Sequence, residues 1–278
     1  MTTTVAATDD AGMAPNRPPV TAGWVRQQIA RGRLVAWTSS VFTRSGQFAG
    51  CEVLARCPAP DGGLLSATAF GDLLEVEDWA LVDRSMAHAA ARLSRAIVAG
   101  GGPPAWVSWN TAPSTLSDAY ADELEAIVAR AGGDRSHLHL ELTEQRPVPG
   151  VSEIGVLHRF VGAGFGVALD DVGRQHEPLD LLRQVPFRLA KLERELIAAA
   201  VTESGFTQLR DLTSACHAHG ARVVAEGVET AAELEAVLDA GCDEIQGFLW
   251  ARGCSAATLA HEFAMGRRPE PAGTPPDA

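Results

Sequence analysis

The stretch LHLELTEQRPVPGVSEIGVLHRFVGAGFGVALDD, residues 138–171, decides the fold. It begins with the apolar run LHLEL at 138–142 and ends with FGVALDD at 165–171. Both runs have the length and composition of buried strands. Because a helical segment separates them, the stretch predicts a β-α-β unit with parallel strands.

The same alternation continues on both sides of this unit. Further β-rich runs separated by helical segments are LVAWTSSVF (34–42), AWVSWN (105–110), RLAKL (188–192) and ARVVAE (221–226). About eight strands can be counted, which favours a modified TIM (β/α)8-type barrel of the α/β class slightly over an open sheet. The short turn Arg44-Ser45-Gly46 fits a hairpin, so the first strand is predicted to be antiparallel.

Two helices have clear sequence signals. The first is predicted where apolar residues recur at spacings of three and four, at Val82, Met86, Ala89, Leu93 and Ile97. The second is predicted to begin with the capping box Thr230-Ala-Ala-Glu233 and to stop at Gly241.

Composition bounds the class of protein. The chain has 278 residues, of which 46% are hydrophobic and 21% charged, an ordinary globular profile. Residues 1–20 and 267–278 are rich in proline and in small or polar residues, so they are predicted to be disordered tails around a domain at 21–266. The net charge of −12 repels a phosphate backbone and argues against extended nucleic-acid binding.

The cysteines and the N-terminus indicate the compartment. Five cysteines, an odd number without CxxC spacing, are interpreted as packing residues in a reducing environment: Cys51, Cys57, Cys216, Cys242 and Cys254. The N-terminal residues lack the basic and apolar regions of a signal peptide, and no apolar run reaches the ~18 residues of a membrane span. A cytoplasmic protein without a membrane partner is expected.

Polar residues collect where the predicted strands end, which is where barrels of this class carry their chemistry. They are Glu52, Asn110, Glu141, Asp170, Asp171, Lys191, Glu226 and Gln246. Singly, an aspartate at a strand end is more often a helix cap. Together, five acids in one small volume persist only if cations neutralise them or some stay protonated. Oxygen ligands suit two divalent cations, Mg²⁺ or Mn²⁺, the usual arrangement for attack of water on a phosphodiester.

Ordered motifs identify a family resemblance from about residue 25 to 265. They are Glu52-Val53-Leu54 followed by Ala55-Arg56, VSWNTAPSTL (107–116), ELTE (141–144), LDD (169–171), AKLER (190–194), AEGVET (225–230) and GCDEIQGF (241–248). The chain thereby resembles the EAL-domain cyclic-di-GMP phosphodiesterases.

The resemblance implies a role for each matching residue. One metal would be held by Glu52, Asn110, Glu141 and Asp170, and the second by Asp170, Asp171 and Glu226. Catalytic roles fall to Glu52, Lys191, Glu226 and Gln246, with Lys191 steadying the attacking water or the scissile phosphate and Gln246 positioning a metal-bound water. Substrate binding falls to Leu54, Arg56 and Glu229, and Glu144 would anchor the loop after LDD.

Three of these residues keep an alternative interpretation. Arg56 fits a surface ion pair, Glu144 an acid favoured at a helix start, and Glu229 a part of the cap at Thr230.

The chain departs from the family pattern in two places. After the paired aspartates it reads DDVGRQHEPLDLL instead of a sequence like DDFGTGYSSL, which replaces small residues by bulky or stiff ones. The first strand has Trp37-Thr38-Ser39 where the family often has Tyr-Gln-Pro. The altered loop puts conformational control and dimerisation in question.

The resemblance leaves two principal functions. The first is a metal-dependent phosphodiesterase that opens cyclic di-GMP to linear pGpG, favoured because every ligand position is filled. The alternative is a weak or inactive cyclic di-GMP receptor or protein-interaction module, favoured by the altered loop. A barrel enzyme for another phosphate ester is a third option, since fold does not fix function. Cyclic di-GMP, a second copy of the chain and a regulatory protein are the expected partners.

Overall fold

The computed structural model describes residues 19–143, 150–173 and 179–272. Glu144, the loop positions 174–178 and most of both predicted tails therefore lie outside the described residues. Ten strands occur in the described part: β1 Val35–Thr43, β2 Phe48–Pro58, β3 Leu64–Ser66, β4 Trp106–Thr111, β5 Leu138–Leu142, β6 Gly166–Val172, β7 Leu189–Leu192, β8 Arg222–Ala225, β9 Glu244–Gln246 and β10 Cys254–Ser255.

Eight of these strands close a barrel. Around the ring the order is β1-β9-β8-β7-β6-β5-β4-β2, and pairing of β2 with β1 completes the circle. β1 is antiparallel to both of its neighbours, whereas the other six pairings of the ring are parallel. The predicted barrel with an antiparallel first strand is confirmed. The short β3 and β10 extend the sheet beside β2 and β1.

Helices lie between the strands in sequence. They are α1 Ala22–Ala30, α2 Ala67–Phe70, α3 Val76–Ala99, α4 Asp118–Ala131, α5 Val151–Gly162, α6 Leu179–Gln184, α7 Arg194–Ala199, α8 Glu203–Ala218, α9 Ala231–Asp239 and α10 Ala256–Ala264. α3 buries the predicted face, although Ala89 is only half-buried. α9 begins with the predicted capping box, in which Thr230 and Glu233 each accept the other's backbone N–H.

Two glycines make room for rings at the N-terminal end of the barrel. The Trp106 and His139 rings stack there with centroids 5.8 Å apart. A Cβ at Gly50 would lie 2.3 Å from the Trp106 ring, and one at Gly166 would lie 2.1 Å from the His139 ring. The rings close this end, and Trp106 Nε1 donates to Glu244 Oε2 at 2.9 Å.

A buried apolar cluster, to which Trp106 itself belongs, lies next to this end. It consists of Val41, Trp106, Ala168, Leu189 and Val224, a buried cluster distinct from the core between strands and helices. Because side chains alternate along a strand, residues two positions further along β6, β7 and β8 point into the same interior. Those residues are Asp170, Lys191 and Glu226.

Arg268, near the end of the described chain, contacts the domain. Its guanidinium lies 4.8 Å from the centre of the Phe263 ring and donates to Gly100 O at 2.8 Å. The tail boundary at residue 267 stays a prediction. Composition alone does not reveal this cation-aromatic contact.

All five cysteines are free thiols, and four of them are buried. Within the described segments, no helix combines the length and the apolar character that crossing a bilayer requires.

Candidate functional site

Lys191 lies at the centre of the carboxylates that end the barrel strands. Its Nζ is 2.6 Å from Glu226, 2.8 Å from Glu141, 3.2 Å from Asp170 and 3.3 Å from Glu52. The side chain is 1% exposed. Lys191 is also the only lysine in the chain, which otherwise uses arginine for its basic residues. A compact ammonium with three donors fits among several carboxylates where a planar guanidinium does not.

Glu52 is oriented by two side-chain amides. Asn110 Nδ2 donates to its Oε1 at 2.8 Å, and Gln246 Nε2 donates to its Oε2 at 3.1 Å. Burial raises the pKa of the Glu52 carboxyl, but Lys191 and these two amides outweigh burial and hold the pKa below its ordinary value. Glu52 is therefore a carboxylate with a fixed direction.

Glu141 lies deepest in the cluster and is fully buried. Its Oε1 accepts from Ser108 Oγ at 2.5 Å, and its other oxygen contacts Lys191. Burial, together with the charge of Glu52, raises the pKa of Glu141 well above its ordinary value despite Lys191. Burial likewise raises the pKa of Glu226 to about 8. The cluster therefore carries more negative groups than one lysine neutralises.

A break in the register of β6 brings two consecutive aspartates to the mouth. Neighbouring residues of a regular strand point to opposite faces. Between Leu169 and Val172 the pairing with β7 shifts, and Asp171 has a φ of 54°. Among the described non-glycine residues, Asp171 alone has a positive φ. As a result, oxygens of Asp170, Asp171 and Glu226 lie within 4.8 Å of one another.

The donor atoms fit divalent cations with oxygen ligands. Asn110 Oδ1 and Gln246 Oε1 are buried and have no hydrogen-bond partner among the described residues. Buried acceptors without a donor are rare in proteins, and a cation satisfies them directly. The group Asp170, Asp171 and Glu226 matches the ligand set predicted for the second metal. Carboxylate and amide oxygens without sulfur or imidazole suit Mg²⁺ or Mn²⁺.

A cavity of about 320 Å³ opens over the cluster. Its lining includes six of the predicted site residues, Glu52, Asp170, Lys191, Glu226, Glu229 and Gln246. Of the described residues, Leu54 and Arg56 are not among those lining it. Arg56 lies four positions beyond Glu52 on β2, is half-buried and donates to Ala55 O at 3.1 Å. The substrate-binding roles of Leu54 and Arg56 and the anchoring role of Glu144 stay predictions.

Some residues at the site were not singled out from the sequence. Ser108 was missed although it stands two positions before Asn110 and so faces the same interior. Arg194, Gly227 and Phe248 also line the cavity. Arg194 had a signal as well, since it follows Lys191 by three residues, just after the end of β7.

A model of a protein family matches the sequence that forms this site. The model of the EAL domain matches residues 22–253. The chain belongs to the EAL domain family. The match begins at α1 and covers all the strands of the barrel.

Curated relatives with EAL domains are similar over most of this chain. The bifunctional diguanylate cyclase/cyclic di-GMP phosphodiesterase MucR of Pseudomonas aeruginosa is 29% identical over 253 residues, which are 84% of this chain and 35% of MucR. The cyclic di-GMP phosphodiesterase RocR of the same organism is 30% identical over 212 residues, 74% of this chain and 54% of RocR. The chain thus spans between about a third and about half of the length of these relatives.

Solved EAL structures share the fold. The MucR phosphodiesterase in complex with c-di-GMP superposes with a TM-score of 0.76 at 26% identity, covering 84% of this chain and 97% of that one. BlrP1 of Klebsiella pneumoniae, in a manganese/cy-diGMP complex, has a TM-score of 0.70 at 22% identity and covers 92% of this chain and 60% of its own. The second similarity supports the fold alone.

Proposed function

We propose that this chain is a metal-dependent phosphodiesterase that hydrolyses cyclic di-GMP to linear pGpG. The observation that carries the proposal is the convergence of Lys191 and four carboxylates at the mouth of the barrel, beneath a cavity. Family membership supports the substrate, because EAL relatives carry the name cyclic di-GMP phosphodiesterase.

The residues of the chain have separate tasks in this reaction. Lys191 keeps its proton, because its four carboxylate neighbours outweigh the effect of burial and hold its pKa well above the ordinary value. We assign it the stabilisation of negative charge on the phosphate oxygens as water attacks. Asn110 and Gln246 hold Glu52 in one orientation, so its carboxylate needs no rearrangement during the reaction.

Two divalent cations, Mg²⁺ or Mn²⁺, complete the proposed site. Glu52, Asn110, Glu141 and Asp170 would hold the first, and Asp170, Asp171 and Glu226 the second. When bound, such ions supply Lewis-acid polarisation of the phosphodiester and hydroxide at neutral pH. The amide oxygens of Asn110 and Gln246, which lack partners among the described residues, and the grouping of Asp170, Asp171 and Glu226 support this assignment.

The test is product analysis. Purified protein is incubated with cyclic di-GMP and Mg²⁺ or Mn²⁺, and the nucleotides are separated by chromatography. We expect pGpG to accumulate with the wild type and not with Glu52→Ala. Tight binding of cyclic di-GMP without any pGpG would contradict the enzyme and support a receptor.

A receptor is the second candidate, and the position of Lys191 favours it. Its ammonium contacts four carboxylates at once, so the cluster is partly neutralised without any metal. A site whose negative charge is partly offset by its own lysine needs cations less than an isolated acidic cluster does. The altered loop at 172–180, which also favours a receptor, lies largely outside the described residues. Cytoplasmic location, a homodimer and a regulatory protein partner stay predictions.

A further inference from the structure

Arg194 holds the segment that follows β8. Its Nη1 donates to Gly227 O at 2.5 Å, and its Nη2 donates to Glu229 Oε2 at 2.9 Å. Gly227 comes directly after Glu226, and all of these residues line the cavity. One guanidinium therefore fixes both a backbone carbonyl and a carboxylate at the rim of the candidate site.

Two ion pairs join the segment that starts at β7 to the segment that starts at β8. β7 and β8 are parallel neighbours, with Leu192 beside Ala225. Inside the barrel Lys191 contacts Glu226 at 2.6 Å, and three residues later in both segments Arg194 contacts Glu229. The first contact is buried, whereas Arg194 is 46% and Glu229 39% exposed.

Gly227 lets the arginine side chain pack closely on this segment. It has a φ of +68°, and a Cβ there would lie 2.8 Å from Arg194 Cγ. From the other side, Glu233 Oε2 accepts the backbone N–H of Glu229 at 2.7 Å and of Thr230 at 2.8 Å. The helix cap thus fixes the backbone of Glu229, while Arg194 fixes its side chain.

We propose that Arg194 is a positioning residue that orients Glu229 for binding of the cyclic dinucleotide. This inference rests on the proposed function, because it takes cyclic di-GMP as the ligand. The planar fork of arginine serves the carbonyl and the carboxylate together, which a lysine ammonium cannot do with the same geometry. Exposed ion pairs contribute little to stability. We therefore expect the contact to act on ligand affinity rather than on folding.

The test is a double-mutant cycle on ligand affinity. The variants are Arg194→Ala, Glu229→Ala and the double substitution, and calorimetric titration with cyclic di-GMP in EDTA avoids turnover. We expect each single variant to bind about tenfold more weakly, about 1.4 kcal/mol, and the double variant to be no weaker. In turnover assays with Mn²⁺, KM should rise for Arg194→Ala while kcat stays within about twofold.

Controls separate positioning from folding. Arg84→Ala removes another exposed arginine, one that pairs with Glu123 on the helices α3 and α4 and does not line the cavity, and should leave the affinity unchanged. Arg194→Lys should fall between wild type and Arg194→Ala, and it replaces the alanine variant if that one does not fold. The thermal unfolding midpoints of Arg194→Ala, Glu229→Ala and the double variant should match that of the wild type.

Two results would overturn the role of Arg194 without contradicting the phosphodiesterase. One is wild-type affinity in Arg194→Ala, and the other is a double variant whose loss equals the product of the two single losses. Wild-type protein that binds cyclic di-GMP but produces no pGpG would contradict the phosphodiesterase and still leave the affinity cycle decisive. Absence of binding by the wild type would contradict both proposals together.

Discussion

Lys191 is 1% exposed and contacts four carboxylates, of which Glu52 and Glu141 are also buried. Removing one partner of a buried ion pair leaves uncompensated charge behind. We therefore expect Lys191→Met, which preserves much of the side-chain volume, to lower the free energy of unfolding of the metal-free protein by about 3–5 kcal/mol. Urea unfolding in EDTA at neutral pH measures this change. Unaltered stability would show that the four carboxylates do not depend on Lys191.

The matched control is an exposed pair. Arg84 contacts Glu123 at 2.7 Å, but both side chains are at least one-third exposed. Solvent screens such pairs, so Arg84→Met is expected to change the free energy of unfolding by less than about 1 kcal/mol. A comparable loss in both variants would indicate a general effect of removing charge, not an effect of the buried cluster.

A buried acid outside the carboxylate cluster, Asp83, gives the molecule a distinct pH dependence. Asp83 on α3 accepts from Ala112 N at 3.3 Å and from Thr115 Oγ1 at 3.2 Å, yet burial raises its pKa to about 7. Between its unfolded pKa near 4 and about 7, the folded state binds the extra proton. The contribution of Asp83 to stability is therefore greatest at acid pH and falls as pH rises through 7.

Asp83→Asn tests this dependence. The amide keeps an acceptor oxygen for Ala112 and Thr115 but does not titrate. Relative to the wild type, the variant should gain stability as pH rises from about 4 to 8, by at most on the order of 4 kcal/mol. Urea unfolding at several pH values compares the two curves. Parallel curves would contradict a raised pKa at Asp83.

At the scale of elements, packing at the N-terminal end of the barrel requires that Gly166 has no side chain. Gly166 begins β6 against the His139 ring, and a Cβ there would lie 2.1 Å from it. We expect Gly166→Ala to lower the free energy of unfolding by about 1–3 kcal/mol through overpacking. Chemical denaturation provides the measurement.

Gly155 provides the opposite case within the neighbouring helix α5. It is exposed, and a Cβ there would have no atom within 4 Å. Gly155→Ala should therefore stabilise the protein by roughly 0.5–1 kcal/mol, because alanine is the better helix former. Destabilisation by both substitutions would mean that the loss at Gly166 does not come from the His139 ring.

The strands and helices show which structural features could be predicted from the sequence. β5 was predicted with its observed ends, and the cap at Thr230 was predicted with its partner, because local periodicity and capping depend on neighbouring residues. The register shift in β6 was not predicted. Two consecutive aspartates on one side contradict strand alternation, and the shift lies in the pairing with β7, which the residues of β6 alone do not reveal.

Which residues form the candidate site could be predicted from the sequence better than how their charges are balanced. Sequence position placed the acids at strand ends, and closure of the barrel brings Glu52 within reach of Gln246, which is 194 residues later in the chain. The four contacts of Lys191 were not predicted, because they depend on inward directions of four different strands. Lys191 thus supplies part of the positive charge that the acids require, beside the cations expected from the sequence.

At the scale of the whole molecule, metal binding should appear as stability. A ligand that binds only the folded state adds about 2.7 kcal/mol at a concentration of 100 times its Kd. We expect the thermal midpoint to rise by about 5 °C or more in saturating Mn²⁺ or Mg²⁺ relative to EDTA. Asp170→Asn and Glu226→Gln should reduce the shift. An unchanged midpoint in the wild type would contradict the metal site.

A molecule with a net charge of −12 also attracts cations over its surface, so a rise in midpoint does not locate the ion. The single lysine resolves this. Protein grown with ¹³C-labelled lysine gives one ε-methylene signal, which reports on the centre of the carboxylate cluster. Substoichiometric Mn²⁺, which is paramagnetic, should broaden that signal strongly if it binds at Asp170 and Glu226, whereas Mg²⁺ should shift it without broadening. Glu226→Gln should weaken both effects. A sharp, unmoved lysine signal at a Mn²⁺ concentration that raises the thermal midpoint would place the stabilising ion elsewhere on the protein.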